Sequence, residues 1–229
     1  LLLYENKAKN LLIQNRFSQD HLHVIYNSIN LKEQTKVYQK LLKIKKHVKK
    51  QKFHNLIFFG RLTKVKKVEL LIPALFKLNQ NEVKYFLKIF GEGPEKQYLK
   101  SLIKYYQAEE YILLEKETFV EEEIGKLFFD SDMLVSPGNV GLNAVHALCY
   151  GTPVLTHNNF GNQMPEHEVI EENCNGSFHL ENDIDNIAEK IEDWFKNQHQ
   201  GYSREKARKA LIKNYNPDTQ VRIFEEILK

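Results

Sequence analysis

Asp132-Met133-Leu134-Val135-Ser136-Pro137-Gly138-Asn139-Val140-Gly141-Leu142-Asn143-Ala144-Val145-His146-Ala147-Leu148-Cys149-Tyr150-Gly151-Thr152-Pro153-Val154 is the stretch from which the rest of the sequence can be read. Met133 to Ser136 reads as a short strand, the loop from Pro137 carries Gly138 and Gly141, residues 141–150 read as a helix, and Pro153 to Thr156 as another strand. Two strands separated by one helix form the crossover unit of a parallel sheet, because parallel neighbours cannot be joined by a tight hairpin.

The same rhythm continues on both sides. Upstream, Leu56 to Phe59 is a fully apolar strand broken by Gly60, and a helix follows over 67–79 with Val68, Leu71, Ile72, Leu75 and Leu78 on one face. Tyr85 to Phe90 is the next strand, stopped by Gly91-Glu92-Gly93-Pro94, with a helix running on to about 106. Tyr111 to Leu114 is strand and 121–129 helix. Downstream come a polar loop, a short helix near 166–172, a strand over Ser177 to Leu180, and helices over 183–197, 203–214 and 217–228. The chain opens with a helical pattern of Leu3, Ala8, Leu11 and Leu12, a strand over His21 to Tyr26, a turn at Asn27 to Asn30, and a basic helix over 32–50. This alternation predicts an α/β fold, a Rossmann-like parallel sheet with helices on both faces. Ligands in such sheets bind beyond the carboxyl ends of the strands, so the loops starting at 60, 91, 117, 137 and 157 are predicted to meet at one site.

Composition narrows the function. With 33 basic and 30 acidic residues the charge is nearly balanced, which argues against a general nucleic-acid binder. Cys149 and Cys174 are far apart in sequence and lack Cys-x-x-Cys spacing, so they read as reduced thiols rather than a disulfide or zinc framework. No apolar run approaches the roughly 18–20 residues of a membrane span. Lys40, Lys43, Lys45, Lys46, Lys49, Lys50 and Lys52 crowd one stretch. They read either as a solvated helix and linker or, with Leu41, Leu42, Ile44 and Val48 as an apolar face, as a peripheral contact with an anionic membrane surface. The start at Leu1-Leu2-Leu3-Tyr4, without an initiator Met, is expected to lie inside a structural element of a longer protein.

Five segments, in order, resemble the large retaining glycosyltransferase family 4, whose members have two Rossmann-like domains (the GT-B fold). They are Phe59-Gly60-Arg61-Leu62 with Lys66, Ile89-Phe90-Gly91-Glu92-Gly93-Pro94, Asp132 to Pro137, His146 to Val154, and Glu168-Val169-Ile170 with Gly176. Residues 1–30 are similar to the passage that leads from the first domain into the second. Gly138 to Leu142, together with Gly161 to Glu166, resembles a subgroup from bacterial surface-polysaccharide (capsule) gene clusters. The resemblance implies a cytoplasmic enzyme that moves a sugar from a UDP- or GDP-sugar to a glycan or lipid-linked acceptor, with retention of anomeric configuration. It implies no metal and no cofactor. The expected division is a remnant of the amino-terminal acceptor domain at 1–30, a basic helix or linker at 31–52, and the nucleotide-sugar-binding domain at 53–215. A terminal helix at 216–229 is expected to cross back to the missing domain with Val221, Phe224 and Leu228 as its apolar stripe. The chain alone is then expected to be inactive.

A sugar nucleotide carries a diphosphate, which calls for cations and free backbone N–H groups. Arg61 and Lys66 supply the cations, and the helix opening at Gly141 supplies the N–H groups, approached through Gly138. Arg61, Lys66 and Asn139 are the candidate catalytic residues. Gly60, Gly91, Phe119, Gly138, Val140, Gly141, Leu142 and His146 complete the candidate binding set. Gly91 and Gly93 also read as a plain tight turn beside the cleft. The family carries a pair of glutamates where this sequence has Gly138 and His146. His146 is expected to offer its imidazole to a ribose, and Asn139 to touch the sugar. Asp130-Ser131-Asp132 mimics a metal motif but reads as turn chemistry at the opposite sheet edge, and His157, Glu166, His167 and Glu168 lack regular metal spacing. The alternatives are a non-catalytic nucleotide-sugar-binding module and a nucleotide-sugar epimerase.

Overall fold

The computed structural model describes residues 1–44, 53–197 and 202–228. Two short strands, β1 (Leu2–Leu3) and β2 (His23–Val24), pair in parallel around helix α1 (Asn6–Gln14), and α2 (Leu31–Ile44) follows. Six further strands form one all-parallel sheet: β3 (His54–Phe59), β4 (Tyr85–Phe90), β5 (Ile112–Glu115), β6 (Met133–Ser136), β7 (Val154–His157) and β8 (Gly176–His179). Their spatial order is β5-β4-β3-β6-β7-β8. The helices between and after them are α3 (Leu71–Leu78), α4 (Lys96–Tyr105), α5 (Glu121–Asp130), α6 (Leu142–Cys149), α7 (Ile184–Asn197), α8 (Arg204–Asn214) and α9 (Pro217–Ile227).

Successive strand residues face opposite sides, and both sides are buried. On one face Leu56, Phe58, Met133, Val135 and Leu155 pack with α3, α4 and α7 through residues such as Leu75, Leu99 and Trp194. On the other, Ile57, Leu134 and Val154 pack with α2, α5, α6 and α8 through Tyr38, Phe128, Leu148 and Leu211. The expected fold class is therefore observed, with strand ends shifted by a residue or so.

Three local expectations are corrected. The helix expected from residue 67 becomes two 3₁₀ turns, Lys64–Lys66 and Val68–Leu70, with Lys67 between them at φ +50°, and α3 starts only at Leu71. Pro73 accounts for this: its missing N–H is harmless in a first turn but would break a helix begun at 67. Leu3 is strand rather than helix. The strand expected over His21 to Tyr26 is reduced to two residues, with Tyr26 at φ +54°.

The basic helix is described as far as Ile44, and Lys45, Lys46, Val48, Lys49, Lys50 and Lys52 lie outside the described residues. Leu41, expected on a membrane-facing side, belongs to the core, whereas Leu42 and Ile44 are exposed. No described helix is long and apolar enough to cross a membrane. The side chain of Asn216 caps α9 by accepting from the Thr219 N–H, 2.8 Å. Gln220 joins α9 to the start of the chain, donating to the Tyr26 carbonyl and accepting from the Ser28 hydroxyl, each at 2.8 Å. Val221, Phe224 and Leu228 are left exposed.

At the ends of β7 and β8, His157 and His179 are paired neighbours, and both are buried. His179 Nδ1 donates to the Leu180 carbonyl, 2.8 Å. Burial pushes the His179 pKa from 6.5 down to about 4, the Leu180 hydrogen bond opposing, and burial lowers His157 as well. The unfolded chain therefore binds these protons first, so stability should be full above about pH 6.5 and fall as the pH drops toward 4. Urea midpoints measured across that window should decline in the unmodified chain. The slope should be shallower in His179→Asn, which keeps the Leu180 hydrogen bond.

Candidate functional site

β3 and β6 lie side by side at the centre of the sheet, and from them the strand order runs outward in opposite directions. Such a reversal opens a crevice at the carboxyl edge, the usual ligand position in doubly wound sheets. Gly60 and Arg61 leave β3 there, and the loop from Pro137 to Gly141 leaves β6.

The clearest juxtaposition is Lys66 with Asn139, 73 residues apart. The ammonium donates to the Asn139 carbonyl at 2.7 Å and to its Oδ1 at 2.8 Å. Burial lowers the Lys66 pKa, with the charge of Glu166 opposing. An ammonium has three hydrogens, and among the described residues these two acceptors take two of them. Gly138 explains how the two loops come so close. A Cβ there would lie 2.1 Å from the Val65 carbonyl oxygen and 2.7 Å from the Lys66 Cα, and the Gly138 N–H donates to the Lys66 carbonyl at 3.0 Å. No side chain fits at Gly138.

Helix α6 begins after Gly141 without a side-chain cap. Among the described residues nothing accepts from the N–H groups of Leu142 and Asn143, so the positive end of the helix is open toward the crevice. The Asn143 side chain donates to the Phe59 carbonyl and ties this first turn to the end of β3. The other end of α6 is neutralised by α8: Arg208 Nε donates to the Cys149 carbonyl at 2.6 Å and Arg204 to the Tyr150 carbonyl at 3.1 Å.

Arg61 is exposed, and its guanidinium bonds to no described residue. The turn at Gly91 buttresses its loop from below, with the Gly60 N–H donating to the Phe90 carbonyl and the Leu62 N–H to the Glu92 carbonyl, each at 2.9 Å. Leu142 (43%) and Phe119 (84%) are exposed. Val140 instead sits in the core, and its N–H is taken by Gln163 Oε1 at 3.0 Å. It shapes the loop without facing the crevice. Gln163 also donates to Thr156 Oγ1 (2.8 Å) and to the His157 carbonyl (3.0 Å), a positioning role that the sequence did not signal.

The expectation gives the His146 imidazole to a ribose, but the structure engages its Nε2 with Glu121 Oε1, 2.9 Å away. The Tyr150 hydroxyl donates to the same oxygen. Glu121 was missed because an acidic residue in the first turn of a helix ordinarily does no more than answer the helix dipole.

The two metal-like motifs have structural partners. Asp132 Oδ2 accepts from the Asn55 N–H at 2.8 Å, at the amino edge of the sheet. Glu168 caps α1 by accepting from the N–H groups of Asn6 and Lys7, at 2.9 and 2.7 Å. Glu166 accepts from Asn27 at 2.9 Å, and His167 Nδ1 donates to the Met164 carbonyl at 3.0 Å.

The family model described as glycosyl transferases group 1 matches residues 39–227. No curated protein matches the chain by sequence. Among solved structures, it is similar to the lipopolysaccharide outer core galactosyltransferase WaaB, with a TM-score of 0.77, 14% identity, and coverage of 99% of this chain and 60% of that one. S. aureus TarM, solved in a complex that includes UDP, gives 0.74 and 20% over 99% of this chain and 43% of its own. Anabaena HepE with UDP and glucose gives 0.72 and 18% over 99% of this chain and 61% of its own. The chain thus spans about 60% or less of the length of these three. The shared feature at such identities is the fold.

The contact at Gly138 predicts that Gly138→Ala destabilises the fold by about 1–3 kcal/mol, because its methyl must displace main chain. Gly161→Ala, whose Cβ meets Asn159 at an ordinary 3.4 Å, should stay within about 0.5 kcal/mol. Chemical denaturation of both variants checks this, and equal midpoints would show that the 65–66 loop simply yields.

Proposed function

Because the chain belongs to the glycosyl transferases group 1 family, we propose that residues 53–215 are the nucleotide-sugar-binding domain of a retaining glycosyltransferase. The observation that carries the reading is the meeting, at one point of the carboxyl edge, of Arg61, Lys66 and the open start of α6. Two cations and a row of N–H groups suit a diphosphate, and stabilising its departure is the main electrostatic task in sugar transfer. In this reading Asn139, held by Lys66, touches the sugar end of the donor. The UDP in the TarM and HepE structures supports UDP as donor nucleotide, with GDP as the alternative.

In this reading a further, amino-terminal domain holds a glycan or lipid-linked acceptor, and the exposed stripe of α9 packs against that domain. The product is a surface polysaccharide made on the cytoplasmic side of a bacterial membrane, which the basic stretch after α2 approaches peripherally. No metal is required. A non-catalytic binding module is the second reading, favoured by the lack of room for any carboxylate at Gly138. Sugar turnover by the longer protein decides between them.

Arg61→Ala and Lys66→Ala should each weaken UDP or GDP binding by about 1–3 kcal/mol, the scale of a lost charge-assisted contact. Calorimetric titration tests this. Unchanged affinity in both variants would remove the diphosphate from this crevice.

A further inference from the structure

α5 carries the chain from the edge strand β5 back across β4 and β3 to β6, so its first turn overhangs the crevice side of the sheet. That turn holds Glu121, Glu122 and Glu123. Glu122 behaves as a dipole-complementing acid should: its side chain is 60% exposed and pairs with Lys40. Glu121 is different, with a side chain only 19% exposed. Burying a carboxylate is costly unless it is well bonded, and here two rings bond it. His146 Nε2 lies 2.9 Å from Oε1, and the Tyr150 hydroxyl donates to the same atom. The Tyr150 ring reaches that position only because it lies against Gly125 of α5, where a Cβ would be 2.6 Å from the ring.

This bonding is lopsided. Oε1 takes both ring donors, while among the described residues Oε2 has only Gln34 Nε2 at 3.5 Å, the outer limit of a hydrogen bond. Burial acts to raise the Glu121 pKa, but the hydrogen bonds from His146 and Tyr150 outweigh it, so the group is held below the usual carboxylate range and stays ionised. The result is a fixed anion with one oxygen left to accept. Two residues earlier, in the loop that leads from β5 into α5, Phe119 is 84% exposed. An uncovered aromatic beside a fixed carboxylate, at the strand end of a doubly wound sheet, is the equipment for a nucleoside: stacking for the base and acceptance from the ribose hydroxyls.

We propose that Glu121 is the ribose-binding carboxylate of this chain, that Phe119 is the platform for the base, and that His146 is a positioning residue that aims Glu121. This rests on the nucleotide-sugar reading above and assigns the nucleoside end of that same site. The role expected of the residue at 146 is thereby moved one helix away, onto α5.

The 229-residue chain is titrated calorimetrically with UDP, GDP, their 2′-deoxy counterparts and inorganic pyrophosphate. The unmodified chain should favour the ribose form over the 2′-deoxy form by about tenfold, the scale of one hydrogen bond to a charged group. Glu121→Gln should lose that preference and leave pyrophosphate affinity unchanged. His146→Gln should reduce the preference without abolishing it, which a purely structural role would not do. Phe119→Ala should weaken both nucleoside forms equally, again sparing pyrophosphate. A folded Glu121→Gln that keeps the preference would overturn the proposal. So would an unmodified chain blind to the 2′-hydroxyl, a comparison that needs no variant. Either result leaves the diphosphate site standing. Failure of pyrophosphate and both nucleotides to bind would instead sink the nucleotide-sugar reading and this assignment with it.

Discussion

The short parallel ladder between β3 and β6, registered at Leu56 with Met133 and Ile57 with Leu134, is the constraint on which the carboxyl edge depends. It makes neighbours of two loops that are far apart in sequence. It also sets the point from which the sheet grows in both directions, so the crevice opens there. The strands can sit at the centre because Ile57 and Leu134 face one helical layer while Leu56, Phe58, Met133 and Val135 face the other. Helix α6 then leaves β6 with its amino end at the crevice, and Arg204 and Arg208 neutralise its far end. Its field is therefore directed at the ligand edge by residues of α8, some sixty positions further along the chain.

Much of this was legible in the sequence, for physical reasons. The continuous apolar run of β3 and the one-sided apolar pattern of α3 are properties of local residues, and they mark elements whatever surrounds them. The exceptions are equally local once Pro73 is weighed: it cannot stand in the seventh position of a helix, so the apolar face begins in 3₁₀ turns instead. The loops carrying Gly60, Arg61, Gly138 and Gly141 were placed at one edge from topology alone. What no local pattern contains is pairing across the crevice. The grip of Lys66 on Asn139, the staple from Gln163 to Val140 and the bond from Asn143 to Phe59 each join distant residues through side chains common on any surface. Glu121 was hidden for a different reason: its neighbours Glu122 and Glu123 make it look like one more acid in a helix start, and only burial sets it apart.

The two departures from the family's glutamates have different physical characters. At Gly138 the backbone of Val65 and Lys66 occupies the space that any side chain would need, so the change is bound up with the closeness of the two loops. At His146 there is space for a side chain, and the imidazole is turned toward a carboxylate from another helix. One position has lost a functional group to main-chain packing. The other has exchanged an anion for a partner of an anion. The net negative charge near α6 is thus supplied by α5, and its location is tied to Tyr150 and to the absence of a side chain at Gly125.

The approach of Gly138 to Lys66 also turns the crevice into a calliper. Its jaws are the cation-bearing loop after β3 and the start of α6, and the gap between them is set by main chain meeting main chain rather than by adjustable side chains. Such a gap does not widen when a surface residue drifts. Exposed residues on the outer walls, such as Arg61 and Leu142, can then be exchanged while the spacing of the two loops stays the same.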